Sequence, residues 1–123
     1  MPKKLLSVVE FLEHSKLASL YKQLGYEVST EWQVRKAIAL MRKLQPDVIV
    51  ADFYFQADFR DRLSNLESLL AAAQPLAHTK ILVLFDPKHQ PVLDKVRSRL
   101  RMDATLTMPI NESALQSVLS AWL

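Results

Sequence analysis

The sequence predicts a doubly wound α/β domain with five parallel strands, each followed by a helix. Short apolar runs rich in β-branched residues alternate with segments whose apolar residues recur three and four positions apart. The 123 residues, half of them apolar, suffice for one buried core, so residues 1–123 are expected to form a single domain. Right-handed crossovers wind such a chain on both faces of the sheet and bring functional residues to the carboxyl ends of the strands.

Five segments predict the strands. The third and fourth are apolar at nearly every position, which is typical of central strands covered on both faces. The second is the shortest and the fifth is rich in threonine. In chain order the predicted strands are residues 5–9, 26–28, 47–51, 80–85 and 104–107.

The segments between the strands predict five amphipathic helices, each with one face to bury. Their apolar residues fall within 17–24, 34–41, 63–70, 92–100 and 115–122. Several residues are suited to mark helix ends. Ser15 is expected to cap the first helix and Gly25 to end it in a left-handed conformation; Thr30 with Gln33 forms a capping-box pattern, and Asn111 is expected to cap the last helix.

The composition excludes several kinds of site. Without cysteine the chain has neither disulfides nor thiolate ligands, and its only glycine, Gly25, rules out a glycine-rich phosphate loop. His14, His78 and His89 lack metal-ligand spacing. No apolar run reaches the roughly 20 residues of a membrane-spanning helix, and the N-terminus has no signal-peptide pattern, so we expect a cytoplasmic protein.

The charge balance is mildly basic, with 16 Lys and Arg against 13 Asp and Glu. The basic residues cluster only in the predicted fourth helix, at Lys95, Arg97, Arg99 and Arg101. Alternate spacing distributes these side chains around a helix, which favours an ordinary solvated surface. Nucleic-acid binding through this helix is the alternative, and membrane binding is not expected.

Three motifs carry a family resemblance that spans nearly the whole chain. Residues 45–52, Gln-Pro-Asp-Val-Ile-Val-Ala-Asp, resemble the third strand of response-regulator receiver domains, which ends in the phosphate-accepting aspartate. Residues 24–28 resemble the family's join between first helix and second strand, and residues 103–109 resemble its fifth strand. The resemblance implies a flavodoxin-like sheet in the order 2-1-3-4-5, two-component signalling or phosphorelay, and Asp52 at the phosphoacceptor position.

The residues around that position depart from the family. The resemblance implies two adjacent acids that hold Mg²⁺, where this chain has Glu10 and Phe11. It implies a hydroxyl after the fourth strand and a lysine after the fifth, where this chain has Phe85 and Met108. Those two groups would each stabilise a phosphoryl group by about 1.5–3 kcal/mol, against about 5.5 kcal/mol needed to drive a two-state switch. We therefore expect a pseudo-receiver whose phosphorylation is lost or weakened.

Three further positions complete the expected site. Thr105 occupies the switch position, where the family usually has an aromatic residue, and Pro109 fits the family's cis-peptide turn. After Asp52 comes a long aromatic loop, whose rings either fold over the apolar pocket or form an exposed partner patch. The aromatic residues of this candidate patch are Phe53, Tyr54, Phe55 and Phe59.

These observations predict a non-enzymatic, receiver-like protein-binding module. Its expected partners are a signalling protein, a sensor kinase or a second copy of the chain, bound through the face formed by residues 92–123. No catalytic residue and no cofactor are predicted, and Asp52 either keeps a phosphate-accepting role or accepts backbone hydrogen bonds. The main alternative is a phosphorylated receiver in which Glu10 and Asp52, or Asp86 in place of the missing acid, hold Mg²⁺.

Overall fold

Strands and helices alternate along the chain, as the sequence predicts. The computed structural model describes residues 2–9, 16–53 and 61–123, and of residues 53 and 61–65 it describes the backbone. The strands in this part of the chain are β1 (Lys4–Val8), β2 (Glu27–Glu31), β3 (Val48–Phe53), β4 (Lys80–Phe85) and β5 (Ala104–Thr107). The helices are α1 (Leu17–Gln23), α2 (Val34–Leu44), α3 (Asp61–Ala73), α4 (Gln90–Arg97) and α5 (Glu112–Ala121), with a short 3₁₀ turn at Pro87–His89.

All five strands pair in parallel in the order β2-β1-β3-β4-β5, which confirms the predicted fold class. Alternate side chains of the sheet enter two separate core layers. One layer packs against α2, α3 and α4, and the other against α1 and α5. The first receives Leu6, Val8, Ile49, Ala51, Ile81, Val83 and Phe85; the second receives Leu5, Val48, Val50, Leu82 and Leu84.

Two of the predicted helix ends are confirmed and one is wrong. Gly25 has φ +105° after α1, and the side chain of Asn111 accepts a hydrogen bond from the Ala114 N–H at 3.1 Å. The capping box at Thr30 and Gln33 is absent because Thr30 lies within β2 and Gln33 makes no side-chain cap. Instead, Glu31 Oε1 accepts hydrogen bonds from the backbone N–H groups of Trp32 and Gln33. The predicted cap at Ser15 lies outside the described residues.

Several observed element boundaries differ from the predicted ones. Strand β2 begins at Glu27 and runs to Glu31, three residues past the predicted end. Strand β3 continues through Phe53, so Asp52 lies inside the strand instead of following it. Helix α4 ends at Arg97, and Leu100 packs against the core from the segment after it. None of the described helices is long and apolar enough to cross a membrane.

Candidate functional site

The carboxyl ends of β3, β4 and β5 meet at one edge of the sheet, where the sequence places the candidate site. Asp52 pairs in register with Leu84 of β4, and its side chain is only 5% exposed. Because Val48 and Val50 enter the core layer of α1 and α5, alternation directs Asp52 toward the same face. Asp52, which the resemblance places at the phosphoacceptor position, is therefore a buried carboxyl group with a partner in the structure.

Tyr21 of α1 lies close enough to Asp52 for the two groups to interact electrostatically. Burial raises the pKa of the Tyr21 phenol well above its ordinary value, and the negative charge of Asp52 raises this pKa further. Tyr21 is 1% exposed, so its ring fills space on the α1 side of the carboxylate. The sequence indicated Tyr21 only as an apolar-face residue of the first helix. The sequence did contain a signal for this role. Tyr21 lies on the apolar face of the first helix, and the hydroxyl of a buried tyrosine needs a polar neighbour.

The raised pKa predicts a loss of stability at high pH. The folded protein holds the Tyr21 proton more tightly than the unfolded chain, so this contribution is complete below about pH 10 and is lost as pH rises toward the folded-state pKa. Urea unfolding measured between about pH 9.5 and 11 should show a steeper decline for the wild type than for Tyr21→Phe. Equal slopes for the two proteins would show that Tyr21 ionises freely in the folded state.

Phe85 occupies the position where the resemblance implies a hydroxyl. Its side chain is 2% exposed and belongs to the core layer of α2, α3 and α4, where it joins Leu93 and Val96 of α4. Its backbone oxygen accepts a hydrogen bond from the Met108 N–H at 2.7 Å. The ring is thus a structural part of the core, on the face opposite to the one that Asp52 faces, and it offers no donor at the strand ends.

Met108 and Pro109 follow β5 at the same edge. Met108 is half-buried, Pro109 is exposed, and the peptide bond between them is cis, as predicted. Asp86, the acid that could replace a missing metal ligand, caps the 3₁₀ turn by accepting a hydrogen bond from the Lys88 N–H at 3.0 Å. The Lys88 ammonium also lies 3.8 Å from its other oxygen. Both carboxylate oxygens of Asp86 therefore interact with Lys88 in the turn after β4.

The switch position, Thr105, connects β5 to α4. Its hydroxyl oxygen accepts a hydrogen bond from the Arg97 guanidinium at 2.9 Å, and the residue is half-buried. The resemblance to receiver domains implies an aromatic ring at this position, and that ring changes orientation on activation. Thr105 instead has a short side chain, and its exposed hydrogen bond with Arg97 contributes about 1 kcal/mol or less to stability.

Several predicted site residues lie outside the part of the chain that the structure describes: Glu10, Phe11, Tyr54, Phe55, Phe59 and the side chain of Phe53. The magnesium ligands Glu10 and Asp52 and the aromatic partner patch therefore stay predictions. Across residues 2–9, 16–52 and 66–123, no three His, Asp or Glu side chains are grouped so that they could hold a metal ion. The predicted site residues that the structure does describe at this edge of the sheet are Asp52, Phe85, Met108 and Pro109.

The basic residues near α4 are largely engaged in contacts within the protein. Arg97 bonds to Thr105, and Arg99 pairs with Glu67 of α3. Arg101 donates to the Asp103 carboxylate at 2.6 Å and to the Thr79 carbonyl oxygen at 3.1 Å. The guanidinium groups that a nucleic-acid site would need to bind phosphates are thus bonded to groups of the protein itself.

The fold is that of the CheY-like, flavodoxin-like class, and comparison with solved structures shows the same class. No protein-family model matches the chain, and no curated protein matches it. Its structural neighbours are response-regulator receiver domains. The chemotaxis protein CheY4 of Vibrio cholerae is 24% identical with a TM-score of 0.70, and the match covers 100% of both chains.

Two further neighbours extend the comparison. The receiver domain of the sensor histidine kinase PA1611 from Pseudomonas aeruginosa, with magnesium coordinated in its active-site cleft, is 17% identical with a TM-score of 0.71 over 99% of this chain and 98% of its own. NtrX from Brucella abortus, in complex with ADP, is 17% identical with a TM-score of 0.77; the match covers 100% of this chain but 27% of NtrX. At these identities the likeness shows the fold.

Proposed function

We propose that this chain is an atypical receiver domain that acts by binding another signalling protein and has lost or weakened phosphorylation. The observation that carries the proposal is the burial of Phe85 as a core residue at the end of β4, where a phosphorylated receiver needs a hydroxyl. Met108 adds a second loss, because a thioether cannot replace the charge of a lysine ammonium.

The described residues supply few oxygen ligands for magnesium. Mg²⁺ takes near-octahedral oxygen ligands, usually one or two carboxylates together with several waters. Asp52 supplies one buried carboxylate, while Asp86 is bonded to Lys88. The competing proposal, a phosphate-accepting receiver like the magnesium-bound domain of PA1611, would depend on Glu10 as the second acid.

The expected docking face is formed by residues 92–123, which include α4, β5 and α5. Leu123 is 50% exposed, and Val118 and Trp122 are half-buried at the surface of the core layer of α5. The side chain of Lys3 donates to the Trp122 carbonyl oxygen at 2.9 Å and anchors the end of this face. A signalling protein, a sensor kinase or a second copy of the chain would bind there by covering these apolar groups.

Incubation with a small acyl-phosphate donor and Mg²⁺ tests the loss of phosphorylation. Intact-protein mass spectrometry should show an added phosphoryl group on none or only a small fraction of the protein, because the groups that would stabilise it are missing. A receiver domain that accepts phosphate from the same donor, treated identically, serves as the positive control. Phosphorylation of the wild type to the extent of that control, lost in Asp52→Asn, would overturn the proposal and favour the phosphate-accepting alternative.

A further inference from the structure

A groove runs between α2 and α3, and none of its lining residues belongs to the 92–123 face. Its volume is about 530 Å³, and one polar group of α3, Ser68, lines its far side. Helix α2 supplies its other wall, with apolar side chains between two arginines. The α2 residues that line the groove are Val34, Arg35, Ile38, Ala39 and Arg42.

The groove combines an apolar floor with charged ends. Val34 and Ile38 are half-buried, packing against the core beneath them, and Ala39 is exposed. Arg35 and Arg42 are exposed, and seven residues place them two helical turns apart, or about 10 Å along one stripe. Any segment lying in the groove would therefore meet a cation, then apolar surface, then a second cation.

The charge on α2 is available to a partner. The helix carries four cations, Arg35, Lys36, Arg42 and Lys43, and no acidic residue. Among the described residues, none of these four forms an ion pair or a side-chain hydrogen bond, whereas the arginines near α4 bond to Thr105, Glu67 and Asp103. Helix α2 thus presents four exposed cations that make no contact with an acidic side chain among the described residues.

We infer that the α2–α3 groove binds an acidic amphipathic segment of a protein partner, a helix with carboxylates two turns apart and apolar side chains between them. This inference rests on the proposed role in protein binding and adds a second docking surface, with a partner of defined chemistry. Each arginine would hold a carboxylate through its planar donor pair, and the apolar side chains would cover Ile38 and Ala39. The apolar floor distinguishes this partner from a nucleic acid, which offers phosphates at much closer spacing.

The test measures binding of a labelled synthetic helical peptide to the whole chain by fluorescence anisotropy. The peptide has two glutamates seven residues apart, and leucines three and four residues after the first glutamate. The expected result is saturable binding to the wild type that weakens with added salt. Arg35→Gln with Arg42→Gln should weaken binding by roughly tenfold or more, because both charge-assisted contacts are lost. Ala39→Glu, which places a carboxylate between the arginines on an exposed helix position, should abolish it.

The matched control is Lys36→Gln with Lys43→Gln, which removes the same charge at the same spacing from side chains outside the groove. It should retain affinity within about twofold. Equal loss in the two double variants, or no binding by the wild type, would overturn the inference. Displacement of the peptide by duplex DNA through Arg35 and Arg42 would assign the groove to nucleic acid instead. None of these outcomes involves Asp52, so the mass-spectrometric test of phosphorylation stands or fails separately.

Discussion

Replacing Phe85 with alanine is expected to lower the free energy of unfolding by about 3–5 kcal/mol. The side chain is 2% exposed and packs in the core layer of α2, α3 and α4, so its removal leaves a cavity among Leu93, Val96 and their neighbours. A domain of this size is commonly stable by about 5–15 kcal/mol, so urea unfolding of Phe85→Ala should show a much lower midpoint than wild type.

Trp32→Ala is the control for this prediction. Trp32 is an aromatic residue directly after the last residue of β2, but it is 47% exposed, and its removal should change stability by no more than about 1 kcal/mol. A Phe85→Ala protein as stable as Trp32→Ala would show that the ring at residue 85 lies at the surface. Phe85→Thr, which places a hydroxyl at the end of β4, should carry a similar cavity cost.

Arg101→Ala should lower the free energy of unfolding by about 2–3 kcal/mol. Its guanidinium donates to the Asp103 carboxylate, to the Thr79 carbonyl oxygen and, at 3.4 Å, to the Leu76 carbonyl oxygen. Asp103 in turn accepts a hydrogen bond from the Ile81 N–H at 2.7 Å. The arginine therefore joins the segment after α3 to the beginnings of β4 and β5, and its loss removes the charge-assisted hydrogen bonds that hold them together.

Two variants separate this role from a general effect of charge. Lys95→Ala removes an exposed cation of α4 and should leave the unfolding midpoint nearly unchanged. Arg101→Lys keeps the charge but should recover little of the stability, because an ammonium cannot reach three acceptors arranged for a planar fork. Full stability in Arg101→Lys would show that charge alone matters. A test of nucleic-acid binding should therefore neutralise Arg97 and Arg99 and leave Arg101 in place, because the loss of Arg101 also lowers stability.

Local patterns predicted some helix ends correctly and others wrongly. Gly25 and Asn111 behave as expected because a left-handed backbone and an N-cap depend on one residue and its immediate neighbours. The predicted capping box at Thr30 failed because strand pairing with β1 extends β2 through Glu31. The inter-strand hydrogen bonds stabilise an extended backbone at Thr30 more than a helix cap would, and a local sequence pattern does not reveal such pairing.

From the sequence by itself, apolar periodicity and the handedness of crossovers predicted the doubly wound sheet, because both are properties of the chain. The family resemblance predicted the strand order and placed Asp52, Phe85 and Met108 at one edge of the sheet. Only the tertiary structure decided what those side chains face. It placed Tyr21 beside Asp52, made Phe85 part of the core, used the arginines near α4 within the fold and left those of α2 exposed along a groove. The physical reason is that burial and charge pairing depend on residues far apart in sequence, whose approach is set by the packing of helices on the sheet.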